Sequence, residues 1–409
     1  MKAVVFHGIG DIRLENVAEP KINKPTDAIV RITASAICGT DLHMVRGTLG
    51  PMKPGTIMGH EGIGIVEEVG NAVRNFRQGD RVVVGSTIGC GNCSYCRAGY
   101  YAQCDTANPN GPEKGTAFYG GPAMTGPFDG MQAEYVRVPF ANINLVKLPE
   151  EVEDDQAILI SDIFPTAYMA AEMADINPGH TVAVFGCGPV GQFAIASAKH
   201  LDAGRIFAID TIASRLEMAS AQGGEAIDFN REDPVEAIRQ FTGGIGPDCV
   251  IDCVGVDANC AHSGPAAKSA TAKKPLFAVE RKMVAPKTNQ DDGNWHPGDA
   301  PSQVLSWGVE VCAKAGTLSI IGVYPEQVQS FPIGMAMNKN LTVRMGNCNH
   351  RKYIPKIIEM VRSNVMDPAE ILTNVEPMTS VIEAYKQFDR REPGWIKVKL
   401  EPEAALRAA

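Results

Sequence analysis

The sequence predicts an α/β protein in two parts, a mainly antiparallel β domain and a six-stranded parallel sheet covered by helices. Three observations predict it. From residue 1 to about 150 the chain runs in short alternating segments such as "AIVRITA" and "QAEYVRV", separated by Gly/Pro-rich loops. From about 180 it changes to a strand, helix, strand, helix rhythm, which builds a parallel sheet. A length of 409 residues, 44% of them hydrophobic, suffices for two separate cores.

Taken in order, "TVAVFG" precedes "PVGQFAIASAKHL", and "RIFAID" precedes "ASRLEMASAQ". Strands are expected at 181–186, 205–210, 226–228, 248–253, 317–322 and 340–345. Residues 256–304 interrupt the rhythm with an Ala/Lys/Pro-rich stretch lacking clean periodicity, expected to be irregular and either functional or disordered. Beyond 344 come expected helices around "IPKIIEMV" and "VIEAYKQF" and a closing strand in "WIKVKL". The domains so defined are 1–163 with 344–409, and 164–343 carrying the insertion.

Composition narrows the partners. Net charge is −9 and no basic run is long, which argues against nucleic acid or an anionic membrane surface and favours small molecules. No window approaches the roughly 18 uninterrupted apolar residues of a membrane span. The opening "MKAVVFHGIG" has no apolar run after its lysine, so a cytoplasmic location is expected.

Cys90, Cys93, Cys96 and Cys104 stand at a C-x2-C-x2-C-x7-C spacing. A chain with eleven cysteines and enough residues for its own cores needs no disulfide framework, so a metal site is favoured. Four thiolates in one loop wrap a tetrahedral zinc and leave no open position, which makes the site structural. Iron–sulfur clusters use similarly short spacings.

Residues 186–191, "GCGPVG", form a G-x-G-x-x-G between a strand and a helix, the fingerprint of a Rossmann dinucleotide site. Gly186 permits the turn, Gly188 admits a pyrophosphate, and Gly191 lets helix and strand approach. The amides near Pro189 and Val190 lie at the positive helix end. Asp210, ending the next strand, is placed to accept from the adenosine ribose and repels a 2′-phosphate, favouring NAD; Arg215 nearby could accommodate that phosphate.

Outside the cysteine loop lie Cys38 in "ICGTDLH", His60 and Glu61 in "GHEGIG", and Asp162 in "LISDIFPTAY". Their types suit a three-ligand catalytic zinc with a fourth position open. Spacing alone cannot bring 38, 60 and 162 together.

In order and approximate spacing, "ICGTDLH", "GHEGIGIVEEVG", "GDRVVV", the four-cysteine loop, "GCGPVG" and "IDCVG" resemble the zinc-dependent medium-chain alcohol dehydrogenases. Aspartate in "SDIFPTAY", where many relatives have cysteine, together with the insertion is most similar to the branch containing glutathione-independent formaldehyde dehydrogenase. The resemblance implies a GroES-like catalytic domain, with Cys38, His60 and Asp162 on the catalytic zinc and Glu61 close enough to exchange with water there. It implies a proton relay through Thr40 to a surface histidine, His43, and cofactor contacts from Thr166 and from Lys397, the latter on phosphate. Gly39 stands where many relatives place a pyrophosphate-binding arginine.

The expected activity is hydride transfer between NAD and a primary alcohol or aldehyde bound through oxygen to zinc, in a cleft between domains. Two zinc ions per chain are expected, and the resemblance implies a homo-oligomer, a tetramer rather than a dimer. Aldehyde oxidation or dismutation with retained NAD is one alternative. A redox-inert NAD-binding protein is another, since fold alone does not establish catalysis. Phe118, Tyr119 and Phe128 could shape a pocket, but as glycine-flanked residues they are read as surface turns.

Overall fold

The computed structural model describes residues 1–291 and 293–402. The chain divides into two compact units, 1–166 with 289–295 and 347–409, and 167–288 with 296–346. Each has its own buried core.

The first unit opens with β1 (Lys2–Gly8), β2 (Asp11–Asn16), β3 (Ala28–Ile37), α1 (Gly39–Arg46), β4 (Thr56–Ile57), β5 (Gly62–Val69), β6 (Arg81–Val84), β7 (Tyr135–Val138) and β8 (Leu145–Lys147). β1 pairs antiparallel with β2 and β4. β3 is the hub of the larger sheet, antiparallel to β5 and β7, with β5 continuing to β6 and β6 to β8. Val30 faces Val66 and Ile32 faces Gly64 across β3 and β5. Gly64 is required there, because a Cβ would stand 2.0 Å from Arg31 O. Where β3 ends, Cys38 caps α1: its N–H donates to Asp41 Oδ2 (3.0 Å), and Gly47 at φ 81° terminates the helix.

α2 (Ile163–Met173) carries the chain into the second unit. There follow β9 (Thr181–Phe185), α3 (Pro189–His200), β10 (Arg205–Asp210), α4 (Ala213–Ala221), β11 (Glu225–Asp228), β12 (Cys249–Asp252), β13 (Thr317–Ile320) and β14 (Thr342–Met345). Their order, β11-β10-β9-β12-β13-β14 and all parallel, is the doubly wound dinucleotide-binding topology, with every expected strand in place. The central strands are buried on both faces and so read as continuous Val, Ile and Phe.

The insertion departs from expectation. Between β12 and β13 it forms α5 (Ala266–Val284), a 19-residue helix with Pro275 inside it. Alanine's high helix propensity favours this, and Ala266, Ala270, Phe277 and Val284 make a buried face. Glu280 is buried among them because Ser302 Oγ donates to its carboxylate at 2.8 Å.

Seven insertion residues, 289–295, belong to the first unit. The chain returns there with α6 (His350–Arg362), β15 (Asn374–Pro377), α7 (Val381–Arg390) and β16 (Val398–Glu401). β16 pairs antiparallel with β3 and parallel with β15, completing the order β15-β16-β3-β5-β6-β8. Trp295, 1% exposed, joins the core of Val4, Ile37, Tyr385 and Phe388. Asp389 accepts from Trp295 N (2.7 Å) and Asn294 Nδ2 (3.3 Å) on one oxygen, and from Arg46 Nε (2.8 Å) on the other. Among the described residues no helix is long and apolar enough to cross a membrane.

Candidate active site

The four cysteines of the loop converge, one sulfur of each lying within 4.8 Å of the others. Zn–S bonds of about 2.3 Å put tetrahedral sulfurs about 3.8 Å apart; Cys93 and Cys104 Sγ stand at 3.8 Å. The backbone folds to present N–H groups to sulfur: Cys90 N donates to Cys104, Asn92 N and Cys93 N to Cys90, and Cys96 N to Cys93, at 3.2 to 3.5 Å. Burial opposes ionisation of Cys90, but the amides of Asn92 and Cys93 outweigh it and bring the thiol down to about 6. Burial raises Cys96 and Cys104. A closed, amide-lined cage of four sulfurs fits a tetrahedral cation.

A second cluster, entirely within the first unit, gathers Cys38, His60, Glu61 and Asp162 with one ligand atom of each within 4.8 Å of the others. Cys38 comes from the α1 cap, His60 and Glu61 from the entry to β5, and Asp162 from the residue before α2. His60 Nε2 lies 3.5 Å from Asp162 Oδ2, and Cys38 Sγ lies 3.8 Å from the same oxygen. Bonds of about 2.0 Å to nitrogen and oxygen and 2.3 Å to sulfur predict separations of about 3.3 and 3.5 Å. Glu61 Oε1 is buried with no hydrogen-bond partner, an orphan that a cation beside it would satisfy. The donor set and spacing fit a divalent zinc-like ion.

The side chains behind these four come both from inside the motifs and from distant sequence. His60 Nδ1 meets Asp41 Oδ1 at 3.1 Å, so Nε2 is the nitrogen turned toward the cluster. Asp41 Oδ2 also accepts from Gln132 Nε2 at 3.2 Å, and Tyr385 donates to Gln132 Oε1 at 2.7 Å. On the far side His350 Nε2 lies 2.7 Å from Asp162 Oδ1. Burial disfavours both charges, yet His350 and His60 hold Asp162 well below the usual carboxylate range, while Asp41 and Cys38 hold His60 well above its own. Burial pushes the Cys38 thiol up.

Thr166 Oγ1 donates to Asp162 Oδ1 at 3.3 Å. Thr40 is half-buried on the first turn of α1. His43 corrects the expectation of a surface histidine: it is 6% exposed, with Nδ1 3.0 Å from Thr48 Oγ1, because α1 buries everything from Asp41 to Arg46. Lys397 is a second correction. Expected at a phosphate, it is fully buried, with its ammonium on Glu61 Oε2 and Ile37 O. An uncompensated carboxylate at Glu61 is the physical reason. Burial lifts Glu61 to about 7 even against Lys397. The three aromatics are not surface turns: Tyr119 and Phe128 are core, and Phe118 meets the His60 ring edge-on at 6.2 Å.

In the second unit the "GCGPVG" loop has the expected form. Gly186 adopts φ 86°, Gly188 caps α3, Pro189 and Val190 open its first turn, and a Cβ on Gly191 would stand 1.8 Å from Gly186 O. Asp210 accepts from Cys187 N (2.8 Å), Thr211 N (2.7 Å) and Ile212 N (3.1 Å). Arg215 turns toward it, with Nη1 at 3.8 Å from Oδ2.

Comparison with known proteins agrees with this geometry. Residues 24–150 match the alcohol dehydrogenase GroES-like domain, and residues 189–268 match the zinc-binding dehydrogenase family. A zinc-type alcohol dehydrogenase-like protein of Bacillus subtilis, AdhB, is 35% identical over 98% of this chain and all of its own. Glutathione-independent formaldehyde dehydrogenase of Pseudomonas aeruginosa is 33% identical over 100% of this chain and 99% of its own. The solved alcohol dehydrogenase TADH from Thermus sp. ATN1 is 34% identical, with a TM-score of 0.79 over 98% of this chain and all of that one. With both sequence halves, both clusters and full-length relatives in accord, the chain belongs to the zinc-dependent medium-chain alcohol dehydrogenase family.

Proposed function

We propose that the protein is a zinc- and NAD-dependent oxidoreductase transferring hydride between nicotinamide and a primary alcohol or aldehyde. The observation that carries this reading is the buried Cys38, His60, Asp162 cluster, whose donor types and spacings suit three ligands of a site with an open position. Cys90, Cys93, Cys96 and Cys104 hold the second, structural zinc. When bound, the catalytic zinc polarises an alcohol or carbonyl oxygen, and NAD exchanges the hydride.

The chain's own residues do the rest. Asp41 keeps His60 in one tautomer and orientation. Glu61, backed by Lys397, keeps a carboxylate beside the ligands without adding net charge. Thr40 and His43 carry the substrate proton away from the site. Thr48 Oγ1 donates to His43 O and stands 3.0 Å from His43 Nδ1. Gly186, Gly188, Pro189, Val190 and Gly191 cradle the pyrophosphate of NAD, with Asp210 and Arg215 at its ribose and Thr166 beside Asp162. The formaldehyde dehydrogenase relative supports placing small aldehydes among the substrates. A cytoplasmic homotetramer completes the proposal.

The test combines elemental analysis with turnover. Two zinc ions per chain, one of them lost in Cys38→Ser, and NADH formation from added NAD with a primary alcohol or aldehyde are expected. One zinc ion per chain together with no NADH formation across both substrate classes would overturn the reading.

A further inference from the structure

His350 belongs to none of the motifs, yet the fold brings it behind Asp162 across 188 residues of chain. It opens α6, is 2% exposed, and has both ring nitrogens engaged. Nε2 meets Asp162 Oδ1 at 2.7 Å, and Nδ1 meets Thr87 Oγ1 at 3.0 Å. Thr87 is itself anchored by donating to Cys348 O at 3.0 Å.

The two oxygens of Asp162 are thereby divided. Oδ1 faces outward, to His350 and to Thr166 Oγ1 at 3.3 Å. Oδ2 faces His60 Nε2 at 3.5 Å and Cys38 Sγ at 3.8 Å. A carboxylate can bind a divalent cation through one oxygen or through both. Two-oxygen binding would crowd the position that a catalytic site keeps open for substrate.

We propose that His350 is a positioning residue that occupies Asp162 Oδ1 and so holds Asp162 as a one-oxygen ligand, its Oδ2 alone directed at the cation shared with Cys38 and His60. The inference rests on the reading of those three side chains as metal ligands. A ring pinned by Thr87 cannot swing away, so the carboxylate cannot rotate its second oxygen inward. Outer partners of this kind are worth about 10–100-fold in metal affinity.

The experiment uses full-length, zinc-loaded protein and its variants His350→Ala, His350→Gln and Thr87→Val. Zinc per chain and the rate of zinc release to a chelator are measured, together with the visible absorption of the cobalt-substituted protein. The parent should hold two zinc ions. His350→Ala should release one of them about 10–100-fold faster, with shifted cobalt bands, and keep the four-cysteine ion at the parent's rate. His350→Gln, whose carboxamide reaches the same oxygen, should restore most of the retention. Thr87→Val should loosen the same ion by a smaller factor, and it decides the matter if His350→Ala does not fold. A parent with two zinc ions, and variants releasing both at the parental rates with an unchanged cobalt spectrum, would overturn this inference alone. A parent holding one zinc ion would overturn the underlying metal assignment as well.

Discussion

Replacing Lys397 with Met probes the charge balance beside Cys38, His60 and Asp162. The Glu61 and Lys397 side chains are both fully enclosed, Lys397 meets Glu61 Oε2, and Glu61 Oε1 has no hydrogen-bond partner among the described residues. Without the ammonium, Glu61 Oε2 loses the donor that it meets. Burial already raises Glu61 from 4.5 to about 7 against the pull of Lys397, so losing that pull should leave it protonated at neutral pH. The parent carboxyl ionises near pH 7, so the variant differs from it only above that value: keeping the carboxyl protonated where the parent's has ionised costs about 1.4 kcal/mol per pH unit, or roughly 3 kcal/mol by pH 9. That sits at the low end of the roughly 3–5 kcal/mol seen when one member of a buried pair is removed. A group raised in the folded state carries no penalty below its unfolded value, and the penalty grows as pH climbs toward the folded value. Urea unfolding of Lys397→Met should therefore show a loss of roughly 3 kcal/mol at pH 9, shrinking below about 1 kcal/mol at pH 7. Adding Glu61→Gln to Lys397→Met should recover most of it. A single variant as stable as the parent at pH 9, or equally destabilised at both pH values, would refute the reasoning.

Other outcomes follow from particular contacts. Gly191→Ala, whose Cβ would collide with Gly186 O, should weaken NAD binding about tenfold or more by calorimetry while the zinc content stays at the parental value. Cys96→Ser should lower zinc by one ion per chain and depress the melting temperature, and retention of parental zinc would count against the four-sulfur site. Asp389→Ala removes the carboxylate partner of Arg46, itself 4% exposed, and should destabilise by about 3–5 kcal/mol in chemical denaturation. Burial raises Cys249 and Cys312 to about 12, so neither should be alkylated in the native protein at pH 8; peptide mass spectrometry after labelling reads this directly.

The parallel sheet was legible because its central strands are buried on both faces and strand is followed by glycine turn or helix start, as in "TVAVFG" before Pro189. α5 was not. Its inward face begins with Ala266 and Ala270, too small to register as a hydrophobic stripe, and continues through a buried Glu280 that only Ser302 explains. Pro275 then reads as a break that the fold tolerates. At the cluster, residue type made Cys38, His60, Glu61 and Asp162 candidates, and it took the family resemblance to put them in one site. Their supports were hidden for different reasons. Asp41 lies inside the quoted motif and could have been found from the rule that a ligating histidine gives its other N–H to a carboxylate. His350 and Tyr385 arrive from distant sequence and leave no local trace. Lys397 shows that a strand pattern gives the side a residue points to but not what waits there.

Asp389 and the seven residues 289–295 bear on how such a chain can be re-engineered. The insertion looks like an optional module, a passage that could be excised or transplanted whole. Yet Trp295 fills the same core as Tyr385 and Phe388, and the amides of 294 and 295 satisfy an acid whose other oxygen is committed to Arg46. Cutting the passage out would open a tryptophan-sized hole in the first unit and strip an oxygen of its donors. A viable graft or deletion must rewrite the insertion tip, the end of α7 and α1 together, so the three places form one heritable unit despite being scattered along the sequence.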